Sequence, residues 1–241
     1  KSHSTNEHAV ILSYHLKLSK QYTKEAAAHF VEYPLQMMET VNLLLTDDGS
    51  KIALDILEKT YKTLPNNKDI VNRLLYLYAQ EDNKNALISL AQKSFFNWGD
   101  IKYLELLKKT LSDDQYTQAI LKMEAAIHQN ACKSQETALK FFHFENNWAG
   151  MVLYMEKNPK FDLLAKYDAF IYSHNPAAIA DLYTHVLDTY LQTQLGEPAQ
   201  QLLQGLYTHW LENEMADTIQ KIRAFLSANY GHRSGLLASI S

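Results

Sequence analysis

Cysteine is almost absent from this chain of 241 residues, which contains only Cys132. A disulfide framework needs pairs of cysteines, and a structural zinc site built from cysteines alone needs four of them. The sequence therefore excludes both. A lone thiol also suits a reducing compartment, so we predict a cytoplasmic location.

Glycine and proline are scarce as well, with seven and five residues. They fall between segments whose apolar residues recur with the period of a helix, and no segment shows the alternation of a strand. Leu164, Tyr167 and Ile171 lie on one such stripe, and the dipeptide Asn175-Pro176 is typical of a helix N-cap and first turn. We predict an all-α fold of about fourteen helices.

Long apolar runs and an excess of positive charge are also missing. No run reaches the roughly 18 apolar residues of a membrane-spanning helix, and we predict no membrane association. The formal net charge is −4 and the pI is about 6.2. That balance argues against a strongly nucleic-acid-binding surface.

Helical hairpins are what the chain contains instead. From Lys51 to Tyr78 it places Ala53, Pro65, Leu74 and Tyr78 in a spacing that resembles a degenerate tetratricopeptide repeat. We predict a single α-helical repeat domain over residues 1–241, with less regular hairpins in 1–95. Its architecture is expected to be a right-handed α-solenoid or an irregular array of antiparallel helical hairpins, tetratricopeptide-like.

Residues 96–241 contain longer phrases of a known kind. The phrases DIKYLELLKKTLSDDQY, FHFENNWAGMVLYMEKNP, FDLLAKYDAFIYSHNPAAIADLY and IQKIRAFLSANYGHRSGLLASI follow one another in this order. Together they resemble the C-terminal helical region of bacterial SWIM zinc-finger proteins. The resemblance implies that this chain is the C-terminal part of a longer protein.

The zinc finger of that family lies upstream and is built from a Cys-x-Cys pair and a later Cys-x-His pair. This chain contains neither pair, so no metal ligand can be assigned to any residue here. We expect no cofactor in this segment, and zinc only in an upstream module that is not present in this sequence.

Three other pairs of reactive side chains are candidate sites. His128 and Cys132 are four residues apart and could meet on one helical face, but structural zinc needs four protein ligands and no second pair stands nearby. The pairs His143/Glu145 and Glu212/Glu214 are expected to be solvated. No metal-protease, nucleophile-elbow or phosphate-loop motif occurs, so we predict no catalytic residue, no metal site and no enzyme activity.

The aromatic residues give one candidate for partner binding. Tyr76 and Tyr78 are two residues apart on one predicted helix, so only one of them can face the core. We predict that Tyr76 is an exposed anchor for a partner, with Arg73 one turn before it.

The C-terminal region gives a second candidate. No acidic residue follows Asp217, whereas Lys221, Arg223 and Arg233 do. These cations could contact phosphate groups, or they could simply complement the negative end of a helix dipole.

These observations favour a non-catalytic protein-interaction scaffold that accompanies the upstream zinc-finger module. The expected partner is a protein or peptide, or the zinc module itself. The alternative is an auxiliary nucleic-acid-binding segment of a DNA-associated regulator, acting through the full-length protein. The sequence leaves the oligomeric state open.

Overall fold

The computed structural model describes residues 9–13, 15–16, 23–46 and 49–240. The apolar spacing predicts a helix over about residues 6–20. Residues 9–13 and 15–16 are helical, and the rest of that span lies outside the described residues. No strand occurs in the part of the chain that is described. The prediction of an all-α array of helical hairpins is confirmed, whereas the tetratricopeptide type and the right hand remain predictions.

Fourteen helices make up most of residues 23–46 and 49–240. In chain order they are α1 Thr23–Glu32, α2 Pro34–Thr46, α3 Ser50–Thr63, α4 Lys68–Gln80, α5 Lys84–Trp98, α6 Lys102–Thr110, α7 Asp113–His128, α8 Gln135–Phe144, α9 Trp148–Lys157, α10 Phe161–His174, α11 Pro176–Thr193, α12 Glu197–Glu212, α13 Ala216–Tyr230 and α14 Ser234–Ala238. None of these helices has both the length and the apolar character needed to cross a membrane.

The chain forms two compact units. Unit 1 comprises Lys1–Phe95 and Lys102–Met123, and unit 2 comprises Phe96–Ile101 and Glu124–Ser241. A single repeat domain over residues 1–241, with less regular hairpins in 1–95, stays a prediction.

Each unit is built from helices that pack against both their chain neighbours and the next helix but one. In unit 1, α1 lies beside α3, and α3 packs against α2 and α4. In unit 2, α11 lies beside α9 and α13, and α10 packs against α9 and α11. An amphipathic helix cannot bury its apolar stripe alone, and this packing covers the stripes within each unit.

The apolar stripes form the core of each unit. The largest fully buried side chains of unit 1 are Phe30, Phe95, Tyr103, Leu16, Met37, Leu44, Ile56 and Leu57. Those of unit 2 are Trp210, Tyr183, Phe141 and Phe142. Aromatic rings therefore contribute large buried side chains to both cores.

Helix ends explain how the chain manages with little glycine. Four helices stop at a residue with a positive φ that is not glycine, namely Asp82 (52°), Asn130 (62°), Asn146 (53°) and Glu214 (55°). In each case the next backbone N–H donates to the carbonyl oxygen five residues earlier, over distances of 2.8, 3.0, 2.8 and 2.9 Å. This is the Schellman arrangement, which usually uses glycine at the left-handed position.

Helix starts follow the sequence signals. The predicted N-cap Asn175 accepts a hydrogen bond from the Ala178 N–H at 3.1 Å, and Pro176 takes the first helical position. Gly196-Glu197-Pro198 predicts a helix break, and Gly196 lies just before α12 with φ 66°. Gly231 predicts a helix end; α13 ends at Tyr230, and Gly231 has a φ of −58°, an ordinary right-handed value.

Candidate functional site

An open groove of about 290 Å³ lies on unit 1 between α2 and α4. Its lining residues are Met38 from α2 and Asp69, Asn72, Arg73 and Tyr76 from α4. The groove therefore contains Arg73 and Tyr76, the pair predicted from the sequence to bind a partner.

Helix α4 presents these four side chains because of their spacing. Positions 69, 72, 73 and 76 are separated by three, one and three residues, which places them on one face of a helix. The opposite face is buried through Ile70, Val71, Leu74, Leu75, Leu77 and Tyr78. The helix begins firmly, since the Asn67 side chain accepts hydrogen bonds from the N–H groups of Asp69 and Ile70 at 3.0 and 3.3 Å.

The two neighbouring tyrosines of α4, Tyr76 and Tyr78, differ in exposure as predicted. Tyr76 is 52% exposed, whereas Tyr78 is 8% exposed and donates its hydroxyl to Glu58 Oε1 at 2.9 Å. Burial and the neighbouring Glu58 carboxylate raise the pKa of Tyr78 above its ordinary value. Tyr76 is thus the tyrosine of this helix that can touch another molecule.

Arg73 is held in place on the groove wall by two contacts. Its Nη2 donates a hydrogen bond to Asn42 Oδ1 on α2. Its guanidinium carbon lies 6.0 Å from the centre of the Tyr76 ring, at the outer limit of a cation–π contact. Both contacts leave part of the planar fork of N–H donors unused.

The remaining polar residues of the groove are lightly bonded. Asp69 is exposed, and Asn72 Oδ1 accepts at most a weak hydrogen bond from Tyr103 Oη at 3.5 Å. Within the described residues, neither Asp69 nor Arg73 forms an ion pair. The groove therefore exposes one acid and one base that the fold does not neutralise.

The predicted C-terminal cations lie in unit 2 and bond to the protein itself. Lys221 pairs with Asp181. Arg223 donates from Nε and Nη2 to the Ile240 carbonyl oxygen at 2.8 and 2.6 Å, and from Nη2 to Tyr207 Oη at 2.9 Å.

Arg233 has the same kind of role. It donates to the carbonyl oxygens of Leu191 and Gln194, both at 2.9 Å, at the end of α11. These carbonyls belong to the last turn of a helix and have no intrahelical partner, so a cation there satisfies them. Arg223 and Arg233 thus bond to backbone carbonyls, whereas Arg73 forms no such bond within the described residues.

A buried acid in unit 2 was not singled out from the sequence. Asp168 on α10 is 1% exposed. Its Oδ2 accepts hydrogen bonds from Tyr183 Oη on α11 at 2.6 Å and from His209 Nε2 on α12 at 2.8 Å. Its Oδ1 accepts from the Ala169 N–H at 2.7 Å. One carboxylate thus joins three consecutive helices.

The surroundings of Asp168 indicate a structural role. Burial, followed by the Asp168 charge and hydrogen bond, raises the pKa of Tyr183, so the phenol stays neutral and keeps donating. The Tyr183 ring packs edge-on against Trp210 with 4.9 Å between centres. A buried charge needs such partners to be tolerated at all. The sequence signal was present, because Asp168 stands on the stripe between Leu164 and Ile171.

The spacing of His128 and Cys132 would allow them to share one helical face, but the helix does not extend to Cys132. Helix α7 ends at His128, and Asn130 turns the chain with φ 62°. Cys132 therefore follows the helix rather than continuing it. Burial raises the pKa of its thiol to about 12, which makes it unreactive near neutral pH.

The two carboxylate-containing pairs are placed at helix ends. His143 is exposed, with its ring 4.7 Å from that of Phe170, and Glu145 caps the end of α8. Glu212 and Glu214 are both exposed at the end of α12. Among the described residues, no three histidine, cysteine or acidic side chains are arranged to hold a metal ion.

Comparison with protein-family models, curated proteins and solved structures gives no match.

Proposed function

We propose that this chain is a non-catalytic protein-interaction scaffold and that the groove of unit 1 receives a peptide segment of a partner protein. The observation that carries the proposal is the exposed Tyr76 beside the half-buried Arg73, on a helix whose other face is buried. Tyrosine and arginine are the residues most often responsible for binding energy at interfaces.

The rigid backing of the groove supports this function. Helix α4 is capped at its start by Asn67 and buried along its far side, so its outer side chains need little ordering when a partner binds. Arg73 is already oriented by Asn42 and Tyr76. Such preorganisation lowers the entropic cost of association.

The resemblance to bacterial SWIM zinc-finger proteins suggests the setting. We propose that the scaffold accompanies an upstream zinc-finger module in a bacterial cytoplasmic protein, and that the module or a protein bound near it supplies the peptide. No metal or cofactor is required by the groove itself, whose donors and acceptors are ordinary side-chain groups.

The alternative of nucleic-acid binding has less support. It relied on Lys221, Arg223 and Arg233, and each of these bonds to a carboxylate, a phenol or a backbone carbonyl of the same chain. A phosphate would have to compete with those bonds. Fluorescence anisotropy of a labelled DNA duplex at two salt concentrations tests this directly, and we expect no salt-dependent binding by this chain.

The proposed function is tested by selecting peptides on the whole chain from a randomised display library. Selected peptides are then titrated by fluorescence anisotropy against the native protein and the Tyr76→Ala variant. We expect Tyr76→Ala to weaken binding about tenfold or more, as for an interface residue that anchors its partner.

Leu121→Ala is the matched control. Leu121 is 60% exposed on α7, also in unit 1, and lies outside the groove lining. The Leu121→Ala variant should bind the selected peptides as tightly as the native protein does. Peptides that bind Tyr76→Ala and the native protein equally would contradict the proposal.

A further inference from the structure

The two charged side chains of the unit 1 groove differ from the cations that the fold pairs internally. Lys59, Lys166 and Lys221 pair with carboxylates, and Arg223 and Arg233 bond to backbone carbonyls. Asp69 and Arg73 have no such partner among the described residues.

Asp69 and Arg73 do not pair with each other either, although they are four residues apart on α4. Opposite charges at this spacing on a helix usually attract one another. Here the Arg73 guanidinium points the other way, toward Asn42 on α2 and the Tyr76 ring three residues further along. The two charges are thus held apart, and both face the groove.

We propose that the groove recognises an extended peptide segment in which an acidic and a basic residue are separated by one residue. The acidic side chain binds the free edge of the Arg73 guanidinium, and the basic side chain binds the Asp69 carboxylate. This proposal rests on the proposed function and specifies the class of peptide that the scaffold receives.

The spacing of the two charges fits such a segment. Four residues advance about 6 Å along a helix axis. Alternate residues of an extended chain are about 6.6 Å apart and point to the same side. A residue pair with one intervening residue can therefore meet Arg73 and Asp69 together while the chain lies along α4.

The other residues in and beside the groove suit a peptide backbone in this position. The side-chain amides of Asn42 and Asn72 use their oxygens to accept bonds from Arg73 and Tyr103, and their NH₂ groups have no partner within the described residues. Those NH₂ groups can donate to peptide carbonyls. Met38 and the Tyr76 ring offer apolar surface to the methylene groups of the two peptide side chains that face the groove.

Four labelled peptides have blocked ends, so that no terminal charge takes part, and carry Glu-x-Lys, Gln-x-Lys, Glu-x-Glu or Lys-x-Lys in one otherwise constant sequence. A fifth labelled peptide carries Gln-x-Gln and has a free C-terminal carboxylate. Affinities are measured by fluorescence anisotropy on the full chain. We expect Glu-x-Lys to bind most tightly, and its exchange for Gln-x-Lys to weaken binding about tenfold, as for a lost charged hydrogen bond.

Charge variants of the protein give the decisive comparison. Arg73→Glu should prefer Lys-x-Lys, and Asp69→Lys should prefer Glu-x-Glu, because each variant makes both groove charges equal in sign. Both positions are on the exposed face of α4, so the variants should fold, which far-ultraviolet circular dichroism checks.

Three outcomes overturn the inference. They are equal binding of all the blocked peptides, a failure of either variant to change its preference, and tightest binding of the peptide with the free carboxylate. If library-selected peptides still need Tyr76 but show no acid-x-base pattern, the inference fails and the scaffold function stands. If no selected peptide needs Tyr76, the scaffold function fails as well.

Discussion

The chain uses the pairing of arginine with tyrosine three times, twice in unit 2 and once in unit 1. In unit 2, Arg223 lies 5.4 Å from the Tyr207 ring and Arg233 lies 5.6 Å from the Tyr230 ring, and both donate to backbone carbonyls. In unit 1, Arg73 lies over Tyr76 and donates only to a side-chain amide. The same pair of residue types thus completes a helix end in one unit and lines an open groove in the other.

This difference shows how a structural cation can be told from one available to a partner. The sequence does not separate the two kinds of cation, because Arg73 and Arg233 each stand three residues from the tyrosine they contact. What separates them is whether unsatisfied carbonyl groups lie within reach. Unit 2 also closes around a buried acid, Asp168, whereas the acid Asp69 of unit 1 stays exposed. The comparison leads to four predictions, which follow in order of expected effect.

The largest effect is expected from Asp168→Ala. Tyr183 and His209 would lose the acceptor that joins α10 to α11 and α12, and removing one member of such a buried network costs about 3 kcal/mol of the free energy of unfolding. All three tryptophans, Trp98, Trp148 and Trp210, belong to unit 2, so urea unfolding followed by tryptophan fluorescence reports this unit.

The control for that change is Asp162→Ala on the same helix. Asp162 is exposed in the first turn of α10, where it interacts only with the helix dipole, and its loss should cost less than about 1 kcal/mol. Equal losses for the two variants would show that Asp168 does not hold unit 2 together.

Cys132 gives a second test, of how well unit 2 shields a side chain from solvent. Its thiol pKa rises from 9.0 to about 12 through burial. The thiolate fraction near pH 8 then falls about a thousandfold, and because a more basic thiolate is a better nucleophile, alkylation should slow by roughly thirtyfold. The measurement is the rate of iodoacetamide labelling in native and in urea-unfolded protein.

The raised pKa of the Cys132 thiol also makes the stability of the folded chain depend on pH. Since the folded pKa lies above the unfolded one, the protonated thiol favours the folded state below pH 9.0, and this contribution is lost as the pH rises toward about 12. As the pH rises through that window, the free energy of unfolding of the Cys132→Ala variant should therefore fall less than that of the native protein. Native labelling as fast as that of the unfolded chain would contradict the closed surroundings of Cys132.

Removal of the helix-end cation is expected to have an intermediate effect. Arg233→Ala leaves the carbonyl oxygens of Leu191 and Gln194 without their donor, and the loss of charged hydrogen bonds should cost about 1.5 kcal/mol. Tryptophan fluorescence during urea unfolding measures it. An unchanged midpoint would place Arg233 among the cations that are available to partners.

The smallest effect is expected at a helix end that lacks glycine. Glu214 has φ 55°, a conformation in which a side chain is strained and glycine is not. Glu214→Gly should raise the free energy of unfolding by about 0.5 kcal/mol, since the strain relieved is partly offset by the greater freedom of glycine in the unfolded chain. Glu212→Gly is the contrasting variant, because it lies within α12 and should destabilise instead.

Much of the fold could be predicted from local signals. Asn175-Pro176 placed the start of α11, and the break containing Gly196 placed the start of α12, because capping and turn preferences act within a few residues. The sequence left open whether His128 and Cys132 share a helical face, because the left-handed turn at Asn130 carries no glycine to mark it. Local chemistry thus gave the helices more reliably than their ends.

The sites depend on contacts that are distant in the sequence. Tyr76 and Arg73 were predicted because two tyrosines on one helix cannot both be buried, but Asn42, which orients Arg73, lies 31 residues away. Asp168 could be noticed as an acid on an apolar stripe, yet His209 lies 41 residues away and nothing local connects them. The internal bonds of Arg223 and Arg233 likewise follow only from packing.

The most direct test of this account measures two properties of two variants. Arg73→Ala and Arg233→Ala are each titrated with a library-selected peptide and unfolded in urea. We predict that Arg73→Ala loses about tenfold in affinity with little change in stability, whereas Arg233→Ala loses stability and keeps its affinity for the peptide. Loss of peptide binding by Arg233→Ala while folded, with none by Arg73→Ala, would contradict the central claim that the groove of unit 1 is the partner site.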